Sequence, residues 1–178
     1  ALGVGEVGDG DGDVAALNEG EVGLEAEGEV QAVIPARPLD QLRIAQRVRY
    51  DVYCLEFGRT SPNADPDEGT IVDELDPNGT SFIAYHDGQA VGTVRVNLGR
   101  DGEFGVLSDL YGMAETPFSI DESSIITKYA IREAYRGGSA YIRLFAAMGT
   151  FLHAAGAKAI FIDCVPELAR FYATMGFT

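Results

Sequence analysis

A chain of 178 residues, 46% hydrophobic and 10% aromatic, is long enough to bury a core of its own. Its formal net charge of −15 argues against binding a phosphate backbone, which needs basic patches. No run of about 18 apolar residues predicts a membrane span, and the first residues lack the basic and apolar regions of a secretory signal. Two cysteines, Cys54 and Cys164, fall inside apolar patterns and read as reduced thiols of a cytoplasmic protein.

The charge is unevenly spread. Residues 1–34 hold nine acidic residues and no Lys or Arg, and GEV recurs at 5–7, 20–22 and 28–30. Such a tract cannot bury enough apolar surface to offset chain entropy and predicts a disordered leader over 1–34. Asp9, Asp11 and Asp13 have the spacing of a calcium loop, but Val14 stands where its turn glycine belongs and Gly20 where its bidentate Glu belongs. The folded domain is expected over 35–178.

Pro38-Leu-Asp opens a helix over 39–57, with Leu42, Ile44, Ala45, Val48, Val52 and Leu55 at helical spacing and Gly58 closing it. Residues 59–70 read as a turn-rich loop. Ser81–His86 and Gln89–Asn97 are strand-like runs joined by Asp87-Gly88, a pair that favours a two-residue hairpin turn. Residues 98–121 are irregular, with a short helical turn at 107–113. Ser124–Ile131 is β-branched and apolar, as a buried strand requires. A loop leads to a helix at 139–155, then a strand at 157–165 and a helix beginning at Pro166. A right-handed crossover from the strand at 124–131 to that at 157–165 makes the two parallel neighbours in one sheet.

Two segments carry chemistry. In 127–144 a buried strand runs into Arg136-Gly137-Gly138 and opens a helix, which aims backbone N–H groups and the positive helix end at one point, an anion site. In 160–177 a buried strand is followed by a helix that carries Phe171 and Tyr172 and stops at Gly176-Phe177.

Together these segments resemble the GNAT acyltransferase superfamily over about 39–177. The resemblance implies an α/β fold with a mixed, centrally splayed sheet flanked by helices, its last strands missing here because the sequence stops soon after Gly-Phe. That would leave the edge beside 157–165 uncovered. Finer details are similar to the acyl-homoserine-lactone synthases and long-chain N-acyl amino acid synthases. These are Arg49 and Tyr53 on the first helix, Asp73 and Asp76 three apart before the hairpin, Arg95 on its second strand, and the irregular insertion before the central strand. Where the lactone synthases carry Glu-Ser-Arg on that strand, this chain has Ile126-Thr127-Lys128, which speaks against a homoserine derivative.

The resemblance implies transfer of an acyl group from a thioester to an amine, with no permanently bound cofactor and no metal. Ala130 or Ile131 would offer a backbone N–H to the thioester carbonyl, and Arg136, Gly137, Gly138 and Ser139 would hold the phosphate. Ser139 and Tyr141 stand where the coenzyme A turn usually has glycines. A degenerate turn suits acyl carrier protein phosphopantetheine, with one phosphate, better than coenzyme A. Tyr172 is the expected acid for the leaving thiolate. The carboxylates Asp73, Asp76 and Glu122 are candidate bases, with Asp163 a fourth, and Arg49, Tyr53 and Arg95 are expected to bind the acceptor. Expected partners are an acyl carrier protein and a small-molecule amine. The alternatives are a small-molecule N-acetyltransferase using acetyl coenzyme A and a non-catalytic module that binds an acyl ligand or a partner.

Overall fold

The computed structural model describes residues 2–4, 29–36, 39–164 and 166–178. Most of the acidic tract, with Asp9, Asp11 and Asp13, lies outside the described residues, as do Pro38 and Val165. In chain order the elements are β1 (Leu2–Val4), β2 (Ala32–Ala36), α1 (Leu39–Tyr50), a π-helical turn at Asp51–Glu56, β3 (Ala64–Asp65), β4 (Thr70–Ile71), β5 (Gly79–His86), β6 (Gln89–Leu98), α2 (Leu107–Leu110), β7 (Ser123–Ile131), α3 (Ser139–Ala154), β8 (Ala159–Ile162) and α4 (Pro166–Thr174).

Six strands form one sheet in the order β1-β8-β7-β6-β5-β2, and β3 and β4 pair in a small hairpin. The β5–β6 hairpin turns at Asp87 and Gly88, both at positive φ (46° and 75°), as a turn that follows strand twist requires. β7 and β8 are parallel neighbours, as the crossover predicts. β2 begins before residue 35 and pairs antiparallel with β5, its Pro35 tolerated because the strand is at an edge. Val30 is fully buried, and its N–H donates to Ser139 Oγ at 2.9 Å. β1 in turn runs parallel beside β8, on the edge the sequence left uncovered.

Both faces of the sheet are covered. On one, Ala140, Leu144, Met148 and Leu152, four residues apart on α3, and Leu168 and Tyr172 from α4 pack on Val94, Val96, Ile126 and Ile131. On the other, Val48, Val52 and Tyr53 pack on Ala130 and Ile71, while Phe104, Tyr111 and Met113 of the insertion pack on Ile125 and Phe161.

The parity of β7 changes along its length. Ile126, Tyr129 and Ile131 share the α3 face, whereas strict alternation would put Lys128 there. The register moves from Arg95↔Thr127 to Thr93↔Ala130, so two residues of β7 oppose one of β6. That extra residue is a β-bulge, with Lys128 in the left-handed region at φ 54°. The bulge sits where β7 loses β8. The two pair only from Ser123↔Ala159 to Ile126↔Ile162, and beyond Ile126 β7 has β6 as its one strand partner among the described residues. The sheet is therefore splayed between its two parallel central strands.

Candidate active site

The splay is bordered by tyrosines from four elements. Tyr53, in the π-helical turn, donates its hydroxyl to the carbonyl of Tyr129 at 3.1 Å, bracing the bulge from the α1 face. π-Helical turns concentrate at functional sites, because the wider turn re-aims a side chain. On the opposite face Tyr129 donates its hydroxyl to the Tyr141 carbonyl at 2.8 Å, and the two rings lie 5.1 Å apart. The Tyr141 hydroxyl donates to Met175 Sδ at 3.4 Å, and Phe171 packs edge-on against the rings of both Tyr141 and Tyr172. Tyr172 is 1% exposed. Burial, then neighbouring Tyr141 and Cys164, push its phenol well above the usual range. It therefore stays a protonated donor at any pH the fold experiences.

The turn after β7 also forms. Gly137 takes φ 78°, and α3 begins at Ser139 with no side chain capping its first N–H groups. Arg136 does not project into open space. Its Nε donates to the Ile131 carbonyl at 2.9 Å, its Nη2 pairs with Glu56, and its guanidinium lies 4.3 Å from the Phe57 ring centroid. Glu56 also accepts the N–H of Glu133 at 3.1 Å, so one carboxylate already occupies two donors of this turn. Ala130 and Ile131 lie on the half of β7 that has no β8 beside it, with Gly92 and Thr93 as their partners on β6.

Asp73, Asp76, Arg49 and Arg95 come together, but in a buried ion cluster. Asp76 Oδ1 accepts Arg49 Nη1 at 2.7 Å and Arg95 Nη1 at 2.9 Å. Arg49 Nη2 donates to Ser81 Oγ at 2.7 Å, and Arg95 Nε to Thr127 Oγ1 at 3.1 Å. Asp73 pairs with Arg95 through Nη1 and, at 3.1 Å, through Nη2 to Oδ2, and Lys128 Nζ lies 3.3 Å from the same Oδ2. Gly79 makes room for this arrangement, since a Cβ there would sit 2.7 Å from Arg95 Cδ. The two arginines are thus committed to anchoring the segment before β5 onto β5 and β6. Arg95 donates through Nε, Nη1 and Nη2 and Arg49 through Nη1 and Nη2 to protein partners, while Arg49 Nε has no partner among the described residues.

The same contacts make poor bases of two carboxylates. Burial alone would raise the Asp73 carboxyl, but the hydrogen bond and charge of Arg95, with Lys128, pull it down to about 2. A carboxylate held that low is a weak base at neutral pH. Glu122 is held at about 2 by Lys158 and by Ser119, whose N–H it accepts in a capping box at the start of β7. Six residues of strand, about 20 Å, separate it from the bulge. The fourth carboxylate, Asp163, leaves β8 at the splay and accepts the Tyr111 hydroxyl at 2.8 Å.

The Asp73 shift predicts an acid limb. Its folded pKa lies below the unfolded one, so the stabilisation is present above about pH 4 and disappears as pH falls through about 2. Urea midpoints taken between pH 5 and pH 2 should record a loss of about 2 kcal/mol from this group, and Asp73→Asn should flatten that part of the profile.

A pocket of about 140 Å³ with a mixed polar and apolar lining lies beside the bulge on the α1 face, bordered by Tyr53, Arg59, Thr60, Ser61, Pro62, Asn63, Ile71 and Lys128. The loop at 59–70, expected to be a plain connection, folds as the β3–β4 hairpin and forms the outer wall. Lys128 and Arg59 were not singled out from the sequence as binding residues. The one visible signal was Lys128 standing where the lactone synthases carry Arg. A larger groove, about 600 Å³, lies at the far end of the sheet near Gly79, Leu98 and Phe151. Among the described residues no group of three His, Cys, Asp or Glu side chains is placed to hold a metal ion, and no helix is long and apolar enough to cross a membrane.

A mostly antiparallel sheet opened between two parallel strands, with a bulge at the opening and a helix starting from a glycine turn beside it, defines a GNAT-type acyltransferase. Solved structures agree on the fold. The CoA-dependent acyl-homoserine lactone synthase BjaI, solved with SAM and isopentyl-CoA, superposes with a TM-score of 0.65 at 19% identity, covering 82% of this chain and 71% of that one. The acyl-homoserine lactone synthase LasI gives 0.62 at 14% identity, covering 83% and 79%. Escherichia coli ElaA gives 0.55 at 15% identity, covering 83% and 86%. The family model of the N-acyl amino acid synthase FeeM matches residues 44–178, and the chain belongs to this family of N-acyltransferases. No curated protein matches it.

Proposed function

We propose that this enzyme moves an acyl group from the phosphopantetheine thioester of an acyl carrier protein to the amine of an amino acid. The family supplies the reaction class. The observation that favours a carrier protein over coenzyme A is Glu56, whose carboxylate sits on Arg136 and on the Glu133 N–H at the turn before α3. A diphosphate brought there would meet a negative charge, whereas a pantetheine arm on a carrier brings one phosphate. Tyr141, on the first turn of α3, adds bulk at a place where close backbone approach to a diphosphate calls for glycine.

In this reading the pantetheine arm enters the splay and the thioester carbonyl meets a backbone N–H on the open half of β7, at Ala130 or Ile131. The neutral amine approaches from the α1 face and attacks the carbonyl carbon. As the carbon–sulfur bond breaks, the thiolate receives a hydrogen bond from Tyr172, and the proton lost by the nitrogen ends on the sulfur. Because the phenol is less acidic than a thiol, Tyr172 stabilises the thiolate by donating a hydrogen bond and keeps its own proton at the end of the cycle. Asp73 and Asp76 act by holding Arg95 and the strand geometry, so the site works by positioning and hydrogen bonding.

The donor is tested by offering one acyl chain as a carrier-protein thioester and as a coenzyme A thioester. The carrier thioester should give a kcat/KM at least tenfold higher, and Glu56→Gln should narrow that ratio. Equal or better use of coenzyme A by the unmodified enzyme would contradict the proposal.

A further inference from the structure

We propose that the pocket walled by the β3–β4 hairpin binds the carboxylate of the acceptor amino acid through Lys128 and Arg59. The inference deepens the acyl-transfer reading above and rests on it. It moves acceptor recognition away from Arg49 and Arg95, whose guanidinium groups are engaged in the buried cluster.

The first support is the chemistry of the lining. Two cations, Arg59 and Lys128, line this space with Tyr53, Thr60, Ser61 and Asn63, and no lining residue is a carboxylate. A volume of about 140 Å³, roughly five water volumes, suits a carboxylate with its attached carbon and amine. Arg59 is steadied by aromatic faces, its guanidinium 5.4 Å from the Phe57 ring centroid and 6.0 Å from that of Tyr53.

The second support is the backbone of Lys128. A left-handed conformation is unfavourable for a residue with a Cβ, and glycine would take it without strain. The chain instead carries a lysine there, nine-tenths buried and 3.3 Å from Asp73. The bulge turns this side chain onto the α1 face and into the pocket lining, while Tyr129 goes to the opposite face. Strain held at one residue of a strand beside an opening points to a use for the side chain it aims.

The third support is position. Tyr53 both lines the pocket and bonds the Tyr129 carbonyl, so the pocket adjoins the open half of β7 where the thioester carbonyl is expected. A carboxylate held by Lys128 places the α-amine two bonds away, within reach of that carbonyl.

The test compares the amino acid that turns over best with its carboxamide, which keeps the amine and the side chain and loses the negative charge. The unmodified enzyme should favour the acid by about 10- to 100-fold in kcat/KM, chiefly through KM, as expected for loss of a charge-assisted contact. Arg59→Gln, at the half-exposed rim, and Lys128→Gln should each pull that ratio towards one. Thermal melting with millimolar amino acid or carboxamide reads occupancy without turnover, and the acid alone should raise the melting temperature. If no amine is acylated but the acid still stabilises the protein and Arg59→Gln abolishes this, the pocket stands and the transfer reading falls. Acid and carboxamide used equally, or a preference unchanged in both variants, would overturn the inference.

Discussion

Replacing Asp76 by alanine should destabilise the protein by about 3–5 kcal/mol, the cost of leaving a buried ion pair half-made. Arg49 is 0% exposed and Arg95 is 1% exposed, and both donate to the same Asp76 oxygen. Without it Arg95 keeps Asp73, but Arg49 keeps the hydrogen bond to Ser81 while its Nε already lacks a partner. Burial already lowers the Arg49 pKa, with Asp76 as the main opposing influence, so the deletion removes what makes the charged form tolerable. For a domain of this size the loss corresponds to a fall of about 10 °C in Tm, and it is a large part of a typical stability of about 5–15 kcal/mol. Chemical denaturation of Asp76→Ala measures it. The double replacement Arg49→Met with Asp76→Leu should recover much of the loss, since it removes the stranded charge together with its partner. An Asp76→Ala cost below about 1 kcal/mol would mean that the cluster is more solvated than its burial indicates.

The second large effect is catalytic. Tyr172→Phe should lower kcat by about 100-fold, the usual cost of one well-placed donor to charge that develops in the transition state, while the KM for the thioester changes little. The substitution removes one oxygen and keeps the ring that packs against Phe171 and Phe177, so the melting temperature should hold nearly constant. Steady-state kinetics together with a melting curve separate the catalytic from the structural effect. Because the phenol is pushed well above its usual range, the pH–rate profile should show no limb from Tyr172 below pH 10. Turnover within about twofold of the unmodified enzyme would remove Tyr172 from the chemistry and leave it as a core aromatic.

Much of this architecture was legible in the sequence because its strands and helices announce themselves locally. Asp87-Gly88 marked the hairpin, the β-branched run Ser124–Ile131 marked β7, and the strand–turn–helix order required β7 and β8 to be parallel neighbours. The parts that were not legible depend on distant residues. β2 is five residues with a proline inside a tract dominated by acidic and glycine residues, and only its pairing with β5 makes it a strand. The helix expected to run to residue 57 changes to a π-helical turn at Asp51, a difference of one hydrogen-bonding step that carries no compositional mark. The bulge was hidden for the opposite reason, because a lysine occupies a position where glycine would have signalled it.

The site shows the same division. Asp73 and Asp76, expected as bases, and Arg49 and Arg95, expected to bind the acceptor, come together in one ion cluster. Their spacing could not reveal that they neutralise one another inside the protein. A charged residue in a strand pattern reads equally as a ligand grip or as half of a buried pair, and only burial distinguishes the two. Glu122, a candidate base in the sequence, caps the end of β7 away from the bulge. Arg59 had no signal at all, since it belongs to a loop whose hairpin brings it beside Lys128 only after folding.

The central claim is transfer of an acyl group to an amino acid amine, and product mass tests it most directly. The protein would be incubated with acyl carrier protein thioesters, acetyl coenzyme A and a pool of amino acids, and the small molecules formed would be read by mass spectrometry. Acylated amino acids whose acyl mass matches the carrier-borne chain are the expected product. Product from acetyl coenzyme A alone, or no product from any thioester, would contradict it.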